Sequence, residues 1–127
     1  MTERPRMPRL RYFEQSPGLQ HIVGQDRYVY DTVAPAHRIN VIGTGTIGQE
    51  HMRVSALTGR SLVNGIFDPA PESVDVALQN YAQLTDLSPK VFDSAEAACR
   101  DGECDARFIS TPNHTHLDVL RVALESG

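Results

Sequence analysis

The stretch that decides the fold is Arg38–Arg53, RINVIGTGTIGQEHMR, in which an apolar run leads into three closely spaced glycines. The run places Ile39, Val41 and Ile42 close together, and this composition suits a buried parallel strand. The glycines follow at G-x-G-x-x-G spacing, and a helical pattern of apolar residues begins after the last of them. The stretch therefore predicts a strand, a tight turn and the start of a helix.

The rest of the chain repeats this alternation of strand and helix. The predicted strands are 38–43, 61–68, 90–93 and 105–110, and the predicted helices are 47–58, 71–84, 94–102 and 115–127. Strands that are separated by helices run parallel and are joined by right-handed crossovers. Residues 38–127 are therefore predicted to form an α/β domain with a Rossmann-type doubly wound parallel sheet, β-α-β-α-β-α-β-α, incomplete at about four strands.

Apolar stripes predict which side of each helix is buried. The residues that share a stripe are Ile47, Val54 and Leu57 on the first helix, Val74, Ala77, Leu78, Tyr81 and Ala82 on the second, and Leu117, Leu120 and Leu124 on the fourth. Pro71 fits the first turn of the second helix. Asp93 and Glu96 have the spacing of a capping box at the start of the third.

Each glycine of the turn has a separate task if the turn binds a dinucleotide. Gly43 permits the tight turn out of the strand, Gly45 lets the backbone approach a pyrophosphate, and Gly48 lets the helix lie close on the sheet. The free N–H groups around Thr46 and Ile47 would meet the phosphate oxygens at the positive end of the helix dipole. The motif therefore predicts a cofactor-binding turn.

An acidic residue follows at the spacing that this interpretation requires. Asp68 lies 20 residues past Gly48, at the end of the second predicted strand, where it would accept hydrogen bonds from the adenosine ribose hydroxyls. A carboxylate there repels a 2′-phosphate, and no arginine directly follows it, so NAD is favoured over NADP. A P-loop is excluded because Gln49 and Glu50 stand where it needs Lys and Ser or Thr. A tight turn without a ligand is the remaining alternative.

The fourth predicted strand ends in a second polar turn, 110–116, STPNHTH. Pro112 takes the chain out of strand pairing, and Asn113 or Thr115 can cap the helix that follows. In a 3-2-1-4 strand order this turn lies beside the glycine turn, across the crevice where dinucleotides bind. We therefore expect Asn113 and His116 to border the nicotinamide half of the cofactor. The predicted cofactor-binding residues in this turn are Ser110, Thr111, Pro112, Asn113 and His116.

Taken together, GTGTIGQEH, the acid after the second strand and TPNHTH resemble the N-terminal domain of the Gfo/Idh/MocA family, which includes glucose–fructose oxidoreductase and inositol dehydrogenase. The resemblance covers 38–127, and residues 111–116 match the T-P-N-x-x-H turn of the family. It implies an NAD(P)-dependent oxidoreductase that transfers hydride between the nicotinamide and a secondary alcohol of a sugar, inositol or related polyol. The cofactor would supply the redox chemistry, and the protein would supply orientation and proton transfer.

The sequence departs from the family after its last helix. Family members continue into a fifth strand, an E-K-P segment with a substrate-positioning lysine and a second α/β domain, whereas this chain stops at Gly127. The only lysine, Lys90, precedes the third strand and does not match that residue by position. His116 is the one candidate base within reach of the site, and it is not assigned that role. No catalytic residue is predicted, and the chain alone is expected to bind cofactor without turnover.

A second hypothesis is a non-catalytic dinucleotide-binding or accessory module that acts through a partner chain. A fourth strand with no fifth beside it exposes unpaired N–H and C=O groups. A partner chain, a second copy, or the strand predicted at 27–33, RYVYDTV, could cover this edge.

Composition and charge exclude several other classes. A chain of 127 residues with 40% hydrophobic and 22% charged residues suits one globular domain. A net charge of −4 argues against nucleic acid, although four arginines make the first eleven residues basic. Residues 1–37 are predicted to be a largely irregular extension. No apolar run predicts a membrane span or a secretory signal, and a cytoplasmic location is expected.

No metal site is predicted. Cys99 and Cys104 have C-x4-C spacing with no second pair to complete a zinc site, so reduced thiols are expected. His114 and His116 have no cluster of carboxylates or thiols beside them in the sequence.

Overall fold

The computed structural model describes residues 35–126, in which four strands alternate with four α-helices. The strands are β1 (His37–Ile42), β2 (Ser61–Phe67), β3 (Lys90–Val91) and β4 (Ala106–Ile109). The α-helices are α1 (Thr46–Thr58), α2 (Pro71–Leu84), α3 (Ala95–Arg100) and α4 (His116–Glu125), with a 3-10 turn at Asn113–Thr115. The strand predicted at 27–33 and the basic N-terminal residues lie outside the described residues.

The four strands form one parallel sheet in the order β3-β2-β1-β4. The predicted Rossmann-type sheet and its strand order are therefore confirmed. Because β1 lies between β2 and β4, the segments that follow these three strands meet at the carboxyl edge of the sheet. These segments are the glycine turn, the turn at Asp68 and the turn that begins at Ser110.

The sheet is covered on both faces. One face packs against α1 and α2 and buries Ile39, Val41, Met52, Ala56, Val63, Ile66, Val74, Ala77 and Tyr81. The other face buries Ile42 with Ala98 and Cys99 of α3, and partly buried side chains of α4 pack against them. Because helices cover both faces of the sheet, the ends of the strands meet at its uncovered carboxyl edge.

An extra residue in β2 explains how its apolar side chains reach the core. Ile39 lies opposite Val63, but Asn40 lies opposite Gly65, so Asn64 has no counterpart on β1. In a regular strand, residues that are three apart point to opposite faces. The bulge allows Val63 and Ile66 to join the same core cluster.

The bulge also brings Asn64 into a buried polar network. Its Nδ2 donates to Asn40 Oδ1 at 2.9 Å and to Asp101 Oδ2 at 2.7 Å. Asn40 Nδ2 in turn donates to the carbonyl of Ala98 at 2.9 Å. Burial acts to raise the pKa of Asp101, but its hydrogen bonds from Glu103 N–H and the two asparagines, with nearby Lys90, outweigh burial and lower the pKa.

The predicted buried face of α1 is wrong. Ile47 and Val54 are 61% and 44% exposed, whereas the buried residues of α1 are Gly48, Met52, Ser55 and Ala56. The small residues Gly48, Ser55 and Ala56 let α1 lie close on the sheet, whereas the β-branched Ile47 and Val54 face outward.

The predicted buried stripe of α2 is largely confirmed, whereas that of α4 is not. On α2, Val74, Ala77, Leu78 and Tyr81 pack as predicted, but Ala82 is exposed. On α4, Leu117, Leu120 and Leu124 share one side, but that side is exposed. The residues of α4 that pack against the core are Val119, Val122 and Ala123.

Two predicted helix caps are wrong. Ser94, and not Asp93, precedes α3, and its Oγ accepts the N–H of Ala97 at 3.0 Å. At the start of α4 no side chain caps the helix. The hydroxyl of Thr115 donates instead to the carbonyl of Pro112 at 2.7 Å, which closes the 3-10 turn.

Candidate functional site

A cleft of about 790 Å³ lies at the carboxyl edge of the sheet. It is bounded by the glycine turn, the end of β2 and the turn after β4. Eight of the eleven residues predicted to bind cofactor line it: Gly45, Thr46, Ile47, Asp68, Ser110, Thr111, Pro112 and Asn113. Gly43, Gly48 and His116 do not line the cleft. The three polar segments that were separate in the sequence are therefore adjacent in space.

Gly43 and Gly48 fix the backbone beside this cleft. Gly43 has a φ of 97°, and a Cβ there would lie 2.6 Å from the carbonyl of Ser110. A Cβ on Gly48 would lie 1.9 Å from the carbonyl oxygen of Gly43. Both positions require glycine because backbone atoms of the same chain occupy the space of a side chain.

Gly45 differs from its two neighbours in the motif. A Cβ on this residue would meet nothing within 4 Å, and Gly45 faces the cleft. It precedes α1, and no side-chain hydrogen bond caps that helix. The first N–H groups of α1 are therefore available to an anion at the positive end of the helix dipole.

Asp68 is held in place by the backbone on two sides. Its Oδ2 accepts the N–H of Thr44 at 2.8 Å, and its Oδ1 accepts the N–H of Ala70 at 2.8 Å. The carboxylate is half-buried in the wall of the cleft. Each carboxylate oxygen has a second lone pair, so Asp68 can still accept hydrogen bonds from ligand hydroxyls.

Three buried hydroxyls near the glycine turn have no hydrogen-bond partner among the described residues: those of Thr44, Ser110 and Thr111. A buried polar group without a partner is costly, and such groups are satisfied by water or a ligand in most proteins. Ser110 and Thr111 also line the cleft. Together with the uncapped helix and the space at Gly45, these hydroxyls fit a polar ligand such as a dinucleotide.

The two histidines of the second turn have different surroundings. His116 Nε2 lies 2.6 Å from the carbonyl oxygen of Thr111, which accepts its N–H, and the ring stays outside the cleft lining. His114 lines the cleft instead, beside Asn113. The bordering role predicted for His116 stays a prediction.

Sequence reasoning missed an apolar part of the cleft. Its wall includes Phe67, Pro69, Ala95 and Val119. These side chains come from β2, the segment after it, α3 and α4, and only the strand order brings them together. Phe67 and Pro69 flank Asp68 in the sequence, and that adjacency is the one signal that could have found two of them. Such a wall suits a flat aromatic group.

Neither the cysteines nor any candidate membrane helix adds a feature to the cleft. Cys99 is buried and Cys104 half-buried, both are free, and burial raises the pKa of each thiol. Within residues 35–126, no group of three or more His, Cys, Asp or Glu side chains could hold a metal. None of the helices described is long and apolar enough to cross a membrane.

The model of the Gfo/Idh/MocA oxidoreductase family, which describes an NAD-binding Rossmann fold, matches residues 37–127. The chain belongs to this family. The resemblance carried by the glycine turn and TPNHTH is therefore confirmed. Residues 37–127 correspond to the NAD-binding Rossmann domain of a Gfo/Idh/MocA oxidoreductase.

Relatives of known identity agree with this assignment. Inositol 2-dehydrogenase of Paracoccus denitrificans is 29% identical over 91 residues, which are 71% of this chain and 26% of that protein. An NAD-binding protein from Listeria innocua is 30% identical, with a TM-score of 0.60 over 72% of this chain and 25% of its own. Myo-inositol dehydrogenase of Lactobacillus casei, solved with NAD(H) and myo-inositol, is 25% identical, with a TM-score of 0.62 over 73% and 26%. The chain spans about a quarter of the length of these relatives.

Proposed function

We propose that this chain is the cofactor-binding domain of an oxidoreductase that transfers hydride between NAD and a secondary alcohol of a sugar, inositol or related polyol. The cleft carries the proposal, because it combines an uncapped helix start, open space at Gly45 and the fixed carboxylate of Asp68. The inositol dehydrogenases among its relatives support the substrate class.

Several predicted site residues have a direct role in this proposal. The N–H groups at the start of α1, around Thr46 and Ile47, bind the pyrophosphate, and Asp68 accepts the adenosine ribose hydroxyls. The turn at 110–116 borders the nicotinamide half, where Asn113 lies at the cleft. Bound cofactor supplies the hydride chemistry, and this chain orients it.

We infer that the site prefers NAD to NADP. On this proposal Asp68 faces the 2′-oxygen of the adenosine ribose, and a 2′-phosphate would bring two negative charges together there. Pro69 and Ala70 follow it, so no cation stands next to Asp68 in the sequence to offset that repulsion.

Calorimetric titration of the 127-residue chain with NAD and NADP tests this role. We expect saturable binding of NAD and weaker binding of NADP. Asp68→Ala should weaken NAD binding about 10- to 100-fold, because hydrogen bonds to a carboxylate are lost. Glu125→Ala, which removes an exposed acid at the far end of α4, is the matched control and should leave affinity unchanged. Equal affinity in the wild type and Asp68→Ala would refute the role of Asp68.

We propose further that the 127-residue chain binds cofactor without turnover. A general base must reach the reacting hydroxyl. The Nε2 of His116 is bonded to a backbone carbonyl, and Lys90 pairs with Glu103 and lies near Asp101. Incubation of the chain with NAD and myo-inositol should form no NADH above the protein-free background. Sustained NADH formation would contradict this proposal.

A non-catalytic module that acts through a partner chain is the second candidate. The observation that favours it is the outer edge of β4, with which no strand in residues 35–126 pairs. Phe108 on this strand is 36% exposed. On this proposal a partner chain, a second copy or residues 27–33 would cover the edge.

A further inference from the structure

The glycine turn is connected to α2 through two side-chain amides. Gln49, in the first turn of α1, donates from Nε2 to the carbonyl of Thr44 at 2.9 Å. Its Oε1 accepts from Nδ2 of Asn80 on α2 at 3.0 Å. Gln49 does not line the cofactor cleft but lies in a separate groove of about 430 Å³ between α1 and α2. The two amides therefore act on the turn from its far side.

Both polar backbone groups of Thr44 are held by side chains. Its N–H donates to Asp68 and its carbonyl accepts from Gln49. No peptide bond among the described residues is cis. In a planar trans peptide the N–H of Gly45 points opposite to the carbonyl of Thr44. A carbonyl held toward Gln49 therefore turns the N–H of Gly45 away from the groove between the helices.

We propose that Gln49 is a positioning residue, held by Asn80, that aims the N–H of Gly45 at the cofactor pyrophosphate. This inference rests on the proposed function, because it assumes that the cleft binds a dinucleotide. The amide pair fixes the donor before the ligand arrives, so binding does not have to order the turn. Gln49 acts through the backbone and does not touch the cofactor itself.

The chemistry of the pair distinguishes positioning from ordinary packing. In Asn80→Asp, a carboxylate replaces the donor that faces Gln49 Oε1. Gln49 then satisfies the carboxylate by rotating its amide, which turns its oxygen toward the carbonyl of Thr44 and breaks the contact. In Gln49→Lys/Asn80→Asp, the new ammonium donates both to the carbonyl of Thr44 and to the new carboxylate on α2, so the contact is restored.

The test measures the affinity of the 127-residue chain for NAD, ADP and adenosine by calorimetry or NMR titration. Gln49→Leu and Asn80→Asp should each weaken NAD and ADP binding about fivefold to tenfold, the effect of one lost hydrogen bond. Adenosine has no pyrophosphate, and its affinity should not change. Asn80→Asp introduced into Gln49→Lys should produce no loss relative to Gln49→Lys alone.

The outcomes separate this inference from the proposed function. If the wild type does not bind NAD, the proposed function fails and this inference fails with it. If the wild type binds NAD but neither variant weakens ADP, only the inference fails. Equal losses for ADP and adenosine would indicate a general disturbance of the site and would also overturn it. Should Gln49→Leu not fold, Asn80→Asp at an exposed position carries the same test.

Discussion

At the scale of single residues, the three glycines of the motif that follows β1 have two different purposes in the proposed function. Gly43 and Gly48 are required by the chain itself, because backbone atoms occupy the positions that a Cβ would take. Gly45 has free space around it in the cleft. The packing agrees with the separate tasks that the motif predicts for Gly43 and Gly48, and the open space at Gly45 is the space that we propose for the ligand.

Alanine substitutions should separate these purposes. Gly45→Ala is expected to leave the melting temperature within a few degrees of the wild type and to abolish measurable NAD binding, because the new methyl group occupies the approach of the pyrophosphate. Gly48→Ala is expected to destabilise the fold by several kcal/mol, since α1 would be pushed off the turn. Thermal unfolding and NAD titration of both variants measure the two effects.

Gly102→Ala is the control for this pair. A Cβ there also meets nothing within 4 Å, and Gly102 lies away from the cleft. It should change neither stability nor NAD affinity appreciably. Tight NAD binding by Gly45→Ala would contradict the assignment of that space to the cofactor.

At the scale of elements, the bulge in β2 connects the apolar core to a buried polar network. It aligns Val63 and Ile66 with the core, and it directs Asn64 to Asp101. The carboxylate of Asp101 is 11% exposed and accepts hydrogen bonds from both Asn40 and Asn64. The segment after α3 is thereby attached to the two central strands of the sheet.

This network should make the free energy of unfolding depend on pH in the acidic range. Because folding lowers the pKa of Asp101 below its ordinary value of 3.8, the unfolded chain binds the proton more readily. The contribution of Asp101 is complete above the unfolded pKa and is lost as the pH falls through the lower folded pKa. Urea unfolding between about pH 7 and about pH 2.5 should show this loss below about pH 4.

Asp101→Asn identifies the group responsible. The remaining amide oxygen can still accept from both asparagines, but the NH2 group that replaces Oδ1 cannot accept the N–H of Glu103. We therefore expect a loss of about 1–3 kcal/mol at about pH 7 that shrinks toward about pH 2.5. Asp75→Asn, an exposed acid on α2, should leave the pH profile of the wild type unchanged. A constant difference between wild type and Asp101→Asn at every pH would contradict this account.

Much of the element order could be predicted from sequence, because each strand and helix carries its own periodicity. The order β3-β2-β1-β4 is the one expected for a Rossmann-type sheet, and eight of the eleven predicted site residues line the cleft. The buried face of α1 could not be predicted, because small residues such as Ser55 and Ala56 are selected by close contact with the sheet. The bulge at Asn64 and the apolar wall of the cleft depend on tertiary neighbours that no local pattern contains.

At the scale of the whole molecule, the described residues leave the outer edge of β4 and one face of α4 uncovered. β4 has no strand beyond it in residues 35–126, and the exposed leucines of α4 form an apolar stripe, Leu117, Leu120 and Leu124. Unpaired strand edges and contiguous apolar surface promote association with other polypeptide. This chain spans about a quarter of the length of these relatives, so the relatives contain further polypeptide beyond the matched part.

Self-association should depend on the apolar stripe of α4. We expect the 127-residue chain to elute from size exclusion above its monomer mass of 14.0 kDa at high concentration. Leu120→Gln/Leu124→Gln should shift it toward the monomer without lowering its melting temperature, because both side chains are exposed. Val76→Gln, an exposed apolar residue on α2, is the matched control. A wild type that is monomeric at all concentrations, with light scattering as the check, would contradict this expectation.

The hydrogen bond between Asp68 and Thr44 limits how this domain could change its cofactor during evolution. If Asp68 repels a 2′-phosphate, as proposed above, a lineage that gains NADP use must remove this carboxylate, yet the same carboxylate accepts the N–H of Thr44 at 2.8 Å. A substitution at position 68 that leaves no acceptor for this N–H, such as Asp68→Ala, is therefore expected to loosen the turn and to weaken the affinity for either cofactor. Only a replacement such as Ser or Asn, which keeps an acceptor for that N–H, gives a path without this loss. On this proposal, the two contacts of one side chain restrict which related sequences can be reached by single mutations.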